Sequence, residues 1–394
     1  MKVYKYFAVI QILWLFSCDE QVMNIPPEGN GVAPNPVSSP IVENLPGGAK
    51  ITYELPDDRD LLYVKAEYFT SSGEKVVEKA SKYTNTLTIH GFGDTLRHEV
   101  ALYAVDENEN SSTATVVQVT PLKPPVMEVF ESLNIYADFG GVTVTFENET
   151  NADLAISVAT IDGNGGYVDG ETQYTSLKSG TFTARGYNAE LQKFAVFIRD
   201  RWSNYSDTLI SELTPYYEIQ LDKSQFSDPR FPGDADLRGR PASNMWNDIF
   251  AGSDYVQTGT VATGEPMHLS IDLGVTAQLS RLNLKTCKDT RSYFADATLR
   301  RYEIWGSNNP NPDGSFDGWI KLVDHESLKP SGLPKGTLSD DDIAMGENGD
   351  DVTFPLDVPP VRYIRIRCLE NWLSSNNTHI LIGELTFWGS PVQY

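Results

Sequence analysis

The chain has 394 residues, with 31 Lys and Arg against 54 Asp and Glu, a formal net charge of −23. That balance leaves no basic stripe for phosphates, which excludes nucleic acid as a partner, and it disfavours adsorption to anionic lipid. Hydrophobic residues make up 40% and aromatics 11%, which is enough for packed cores, and the length suits about two to four domains.

Residues 1–18 read as an address. Lys2 and Lys5 precede an apolar stretch, Phe7 to Phe16, and the segment closes on Leu15-Phe16-Ser17-Cys18. The stretch is shorter than the roughly 18 residues of a membrane span and has the length of a signal h-region. Its end resembles a bacterial lipobox, which implies removal of residues 1–17 and lipidation of Cys18. Phe16 departs from the small or β-branched residue usual there, and an ordinary signal peptide is the other reading. Asp19 and Glu20 follow, resembling the surface-export signal of Bacteroidetes lipoproteins; in some other Gram-negative bacteria Asp there favours the inner membrane. The expectation is an outer-membrane protein held to the membrane only through its lipid. Residues 18–42 are rich in Pro, with almost no apolar periodicity, and read as an extended stalk.

A repeat follows. Gly47-Gly48-Ala49-Lys50-Ile51-Thr52-Tyr53-Glu54 aligns with Gly140-Gly141-Val142-Thr143-Val144-Thr145-Phe146-Glu147 at an offset of 93. Tyr103, Asp106, Asn110, Ser112, Thr120 and Pro121 align with Phe197, Asp200, Asn204, Ser206, Thr214 and Pro215 at an offset of 94. Two copies of one domain are expected, at 43–122 and 126–216. Short alternating or β-branched runs, separated by turn residues, make each copy a β-sandwich. Their length and spacing resemble a fibronectin type III-like domain. The Asp-x-x-x-Asn-x-Ser segments (Asp106–Ser112, Asp200–Ser206) suit side-chain-stabilised turns, with a calcium loop as the alternative. Pro-rich joints bound each copy.

Residues 217–394 leave the repeat and hold five of the seven Trp. Strand runs recur at His268–Leu273, Arg281–Thr286, Arg301–Trp305, Trp319–Val323, Arg362–Arg367 and Ile380–Trp388, so the whole chain is expected to be all-β. Within Val361–Cys368 the residues Ile364, Ile366 and Cys368 share one face and Arg365 and Arg367 the other, which predicts one buried and one wet face. Six segments in order, including Leu269–Gly274 (LSIDLG), Arg301–Ser307 (RYEIWGS), Val361–Ile366 (VRYIRI) and Ile382–Gly389 (IGELTFWG), resemble the discoidin family, also called coagulation factor five/eight type C. The resemblance covers about 150 residues and implies a galactose-binding-like jelly roll. The chain as a whole resembles the surface glycan-binding lipoproteins of Bacteroidetes polysaccharide-utilisation systems.

Sugar recognition needs an aromatic plate for the ring face and fixed polar groups for hydroxyls. Trp372, Asn376, Asn377 and His379 combine these within eight residues, in the loop before the closing strand. The plainer reading is that Trp372 plugs the sandwich end and the Asn residues make turns. Arg291 and Tyr293, with Phe294, form a second candidate loop, and Trp246 with Asn244 and Asn247 a third. Trp305, Trp319 and Trp388 sit in strand motifs and are expected in the core. The resemblance also implies a possible structural Ca²⁺. Glu384 falls at the matching Glu, and Asp248 is the nearest loop acid, with Asp254 as another; the usual Asp-Gly-Asp-like loop is not intact. Ser339–Asp342 and Asp350–Asp351 read as solvated loop, or as a second cation site. Cys287 and Cys368 read as two buried thiols rather than a bridge.

No GxSxG, HExxH or P-loop motif occurs, and the five His lack metal spacing. The reading that emerges is a non-catalytic surface lipoprotein that binds polysaccharide or oligosaccharide, with an outer-membrane importer complex as a possible partner. A protein-binding accessory subunit or adhesin is the rival reading.

Overall fold

The computed structural model describes residues 31–259, 265–374 and 377–392. Cys18, the signal segment, the first part of the stalk and Asn376 lie outside them. The chain divides into two compact units. One runs to Glu128 and also takes in Arg199–Ser206; the other holds Val129–Ile198 and Asp207–Tyr394.

The first unit is a sandwich of seven strands: β1 (Ser38–Leu45), β2 (Gly48–Glu54), β3 (Leu61–Phe69), β4 (Lys75–Ser81), β5 (Thr86–His90), β6 (His98–Asp106) and β7 (Thr115–Val119). They form two sheets, ordered β1-β2-β5 and β4-β3-β6-β7. Alternation drives the layering: in β3, Val64, Ala66 and Tyr68 are buried while Lys65 and Glu67 face out and form an ion pair at 2.8 Å. Strand β1 begins inside the stretch that composition assigns to the stalk. The cause is local, because Val37 is already buried and its carbonyl accepts from Thr115 Oγ1 at 2.8 Å.

A short helix, α1 (Pro125–Ser132), stands where the sequence suggested only a stiff joint. Pro125 opens it, where a missing N–H costs nothing, and Val126 and Val129 are buried. The second copy then repeats the first: β8 (Asn134–Asp138), β9 (Gly141–Glu147), β10 (Leu154–Ile161), β11 (Tyr167–Thr175), β12 (Ser179–Arg185), β13 (Gln192–Asp200) and β14 (Leu209–Leu213). Its sheets are ordered β12-β9-β8 and β11-β10-β13-β14, the same arrangement as in the first copy.

The repeated Gly-Gly has one cause in both copies. Gly47 and Gly140 adopt left-handed φ of 60° and 62°. At Gly48 an added Cβ would lie 2.3 Å from Ile89 O, and at Gly141 it would lie 1.8 Å from Ala184 O. Gly141→Ala is therefore expected to force β9 from β12 and to cost about 2 kcal/mol or more in urea unfolding. The repeated Asp-x-x-x-Asn segments are side-chain-held turns. Asp106 Oδ1 accepts from Asn108 N and Asn110 N at 2.9 and 2.8 Å, and Asp200 Oδ1 accepts from Trp202 N and Asn204 N, both at 2.9 Å. These carboxylates are spent on amides of their own loops.

The last 170-odd residues form a larger sheet. Its strands are β15 (Ile219–Gln220), β17 (Met267–Lys285), β18 (Leu299–Ser307), β19 (Ile320–Glu326), β20 (Asp350–Thr353), β21 (Val361–Asn371) and β23 (Glu384–Pro391); β16 (Val256–Gln257) and β22 (Leu381–Ile382) pair separately. The sheet order is β15-β23-β17-β21-β18-β19, with β20 also on β17. The long β17 shifts register between Asp272 and Ala277, pairing with β21 before the break and mainly with β23 after it. Its core gathers Leu269, Ile271, Ile304, Ile364, Ile366 and Phe387. The fold is thus nearly all-β, as the sequence implies.

Four expectations need correcting here. Arg365 is not on a wet face: it is 0% exposed, because Phe231, Phe316 and Trp319 from two loops lie over that side of the sheet. Trp246, a loop candidate, is buried in the main core, while Trp305 and Trp388 are only partly buried and point to the opposite side of the sheet. Trp319 is buried, but against Arg365 rather than in that core. Ser339 caps a helix, α2 (Asp340–Asn348), and Asp342 is fully buried rather than solvated. Burial works against its charge, yet donors from Ser331 and Ser339 hold its carboxyl down to about 2. Cys287 and Cys368 are both free and buried, Cys368 in the main core and Cys287 in a separate cluster with Ala297 and Leu381.

Candidate functional site

The loop after β21 is organised by Asn371, whose residue type alone carries no signal for the role. Asn371, 1% exposed, donates Nδ2 to Asn377 Oδ1 at 3.0 Å and to His379 O at 2.8 Å, and its Oδ1 accepts from Leu373 N at 3.1 Å. Asn377 Oδ1 also takes the His379 backbone N–H and sits on His379 Nδ1. His379 is buried, and burial lowers its pKa. Asn377 and His379 therefore shape the loop, through Asn377 Oδ1 and His379 Nδ1.

Trp372 is left half-buried at the edge. Its ring meets Phe294 edge-on at 5.3 Å, and the Arg300 guanidinium lies 5.1 Å from its centroid. Arg300 is fixed in turn by Glu370 at 2.7 Å. Tyr293 is 3% exposed and packs its ring against Gly346 of α2, where a Cβ would lie 2.4 Å away. Arg291 does the reverse: its side chain is 88% exposed and pairs with Asp289 at 2.7 Å. The structure so brings Trp372, Phe294 and Tyr293 together around a recess of about 40 Å³. That has room for a few water molecules and does not enclose a sugar ring, so Trp372 is available to a sugar as a plate at the mouth.

A larger recess, about 590 Å³, lies within the second unit. One wall is the β12-β9-β8 sheet, with Tyr136, Thr143, Thr181 and Thr183; the other carries Arg281, Asp351 and Thr353. Glu218 ties the two walls. It accepts from Ser280 Oγ at 2.6 Å, from Arg281 at 3.2 Å and from Arg185 at 3.4 Å. Arg281 also stacks on Trp388 at 3.9 Å. This recess is lined by hydroxyls, by both charge signs and by the exposed Tyr136 ring. The repeat drew attention to the strands here, but only folding places them opposite β20.

The two acids implied for calcium do come together. Between them stands a cation of the protein's own: Lys223 Nζ lies 2.6 Å from Asp248 Oδ1 and 2.5 Å from Glu384 Oε1. Asp254 is held elsewhere, by Asn247 Nδ2 at 2.8 Å. Burial raises the Glu384 carboxyl above its ordinary value, and Lys223 opposes that rise. Ca²⁺ needs six to eight oxygens, and among the described residues no group of three acidic, His or Cys side chains converges. The residues present do not fit the metal.

Three family models match in series, each a domain of unknown function: DUF4959 at residues 34–121, DUF5126 at 122–224 and DUF5000 at 246–389. A solved protein described as "SusE-like protein BT2857" is 32% identical over 68% of this chain and 100% of its own, with a TM-score of 0.45. The chain belongs to the SusE-like proteins. Its assignment rests on identity along the whole of that relative. Two further solved structures share less with this SusE-like chain. A putative chitobiase fragment from Bacteroides thetaiotaomicron is 16% identical over 45% of the chain and 95% of its own, with a TM-score of 0.29. A two-domain fibronectin type III segment of chicken tenascin is 13% identical over 46% and 99%, with a TM-score of 0.23. Neither bears on function. No curated protein matches.

Proposed function

We propose that this chain is a non-catalytic, lipid-anchored protein of the outer-membrane surface that captures polysaccharide in a Bacteroidetes glycan-utilisation system. Membership of the SusE-like proteins carries the reading. The discoidin-like C-terminal domain holds the glycan, with Trp372 as the plate. The indole offers an apolar face to a sugar ring, and its setting between Phe294 and Arg300 fixes its angle before any ligand arrives. Weak single contacts suffice for a tethered protein, because many anchored copies hold one long polymer. The two sandwiches before it act as a spacer, and an importer complex is the partner to which captured glycan passes.

Affinity electrophoresis against plant, host and microbial polysaccharides tests this. At least one glycan is expected to retard the protein, and Trp372→Ala should abolish that retardation while circular dichroism stays unchanged. Retention that survives Trp372→Ala but falls with Tyr136→Ala moves the site to the larger recess. No retention by any glycan, with copurification of an outer-membrane importer, would favour the protein-binding accessory reading instead.

A further inference from the structure

We propose that Lys223 is a built-in cation that does the work of a structural calcium ion, so that the C-terminal sandwich holds its loops without metal. Lys223 opens a short 3₁₀ turn, Lys223–Gln225, just after β15, and its side chain is only 7% exposed. A lysine is rarely buried unless it is paired, and here both partners are carboxylates from distant parts of the chain. Glu384 starts β23. Asp248 lies on the loop after the Ala242–Met245 turn and takes a left-handed φ of 63°. Folding thus forces two acids together, and without a cation they would repel each other.

The charge balance favours an ammonium. Glu384 is 7% exposed and needs neutralising, whereas the Asp248 side chain is 72% exposed and stays hydrated. One positive charge therefore meets the one carboxylate that burial penalises. An ammonium brings three donors, while Ca²⁺ brings two charges and demands a full oxygen shell. The space is also taken. The ammonium stands between the two carboxylates and contacts both, where an ion would have to sit. One oxygen of Glu384, Oε2, is buried without a partner, so the site is already short of donors. Loss of Lys223 would leave it with almost none.

The test is thermal unfolding of the full chain in chelator and in millimolar calcium, with terbium luminescence as a direct probe of metal binding. The wild-type melting temperature is expected to be the same in both, with no terbium signal from this site. Lys223→Met keeps the length and removes the charge. It should lower the melting of the C-terminal sandwich by about 10 °C, the effect of breaking a buried pair in a domain of this size, and calcium should recover part of that loss. Should Lys223→Met fail to fold, the double variant Lys223→Met with Glu384→Gln removes the stranded charge and is expected to fold. A wild-type protein stabilised by calcium or destabilised by chelator overturns the proposal. So does a Lys223→Met protein that melts like the wild type.

Discussion

Arg365→Ala is expected to destabilise the C-terminal sandwich by about 4 kcal/mol. The guanidinium is fully buried and faces no carboxylate within ion-pair distance among the described residues. Nε donates to Ser270 Oγ at 3.0 Å, and Nη1 donates to Gly314 O and Ser315 O, both at 3.2 Å. Its plane lies 4.2 Å from the Trp319 centroid and 4.7 Å from that of Phe316. A desolvated cation–π contact contributes about 2 kcal/mol, and two carbonyls left without donors cost about 1–3 kcal/mol each. Nη2 has no partner, which already subtracts from the wild-type side. Urea unfolding followed by tryptophan fluorescence checks this, since Trp305 and Trp319 border the cluster. A loss below about 1 kcal/mol would mean that the loops close over the sheet without the arginine. Arg365→Met should fall between the two, because it fills space under the rings but leaves the same carbonyls unpaired.

The same covered face makes the protein sensitive to acid through His268. Burial first, then Arg365 and Arg367, depress its pKa from 6.5 to about 4. Its Nε2 is buried without a hydrogen-bond partner, 3.6 Å from Asp234 Oδ1, and Phe316 meets its ring edge-on. The unfolded chain takes up a proton near pH 6.5, and the folded chain does not until near pH 4. In that window the unfolded state binds more protons, so stability rises with pH and is lost as pH falls from 6.5 towards 4. The loss attributable to His268 is about 3 kcal/mol at the acid end. Asp234, whose carboxyl is raised by burial, works in the opposite direction lower in the range. Melting at pH 7, 5.5 and 4.5 should drop steeply for the wild type and less for His268→Gln. Parallel curves would remove His268 from the account.

Periodicity and the repeat were legible because both are local. The alternation in β21 placed Ile364, Ile366 and Cys368 in the core, and the Gly-Gly pairs marked the same turn in both sandwiches. What the sequence hid depends on distant chain crossing a face. Arg365 and Arg367 alternate like solvent residues, and nothing near them announces that Phe231 and Phe316 will cover the first. Trp305 shows a different fault. It alternates with Tyr302, Ile304 and Gly306 and so belongs with Glu303, to which its Nε1 donates at 3.0 Å; strand phase, not aromatic character, decides its side. In the loop around Trp372, residue types marked a site, but the roles were divided by burial. Asn377 and His379 turned inward to serve Asn371, and Trp372 stayed at the rim. Glu384 and Asp248 were found from the resemblance. Lys223 was not, since a lysine 25 residues before one acid and 161 before the other has no local signature.

The loop Arg199–Ser206 belongs by chain order to the second repeat but by compactness to the first unit. Trp202 stacks on His90 at 5.8 Å, and Asn204 Nδ2 donates to Gly91 O at 3.3 Å. At Gly91 and Gly93, an added Cβ would strike Trp202 and Asn204. A fragment cut at the Pro-rich joint near residue 122 would bare the surface around Gly91 that Trp202 covers, and would lose the amide that satisfies the Gly91 carbonyl. The first sandwich is therefore not complete at that joint, and a pulling force along the chain would have to free this loop before that sandwich could open by itself.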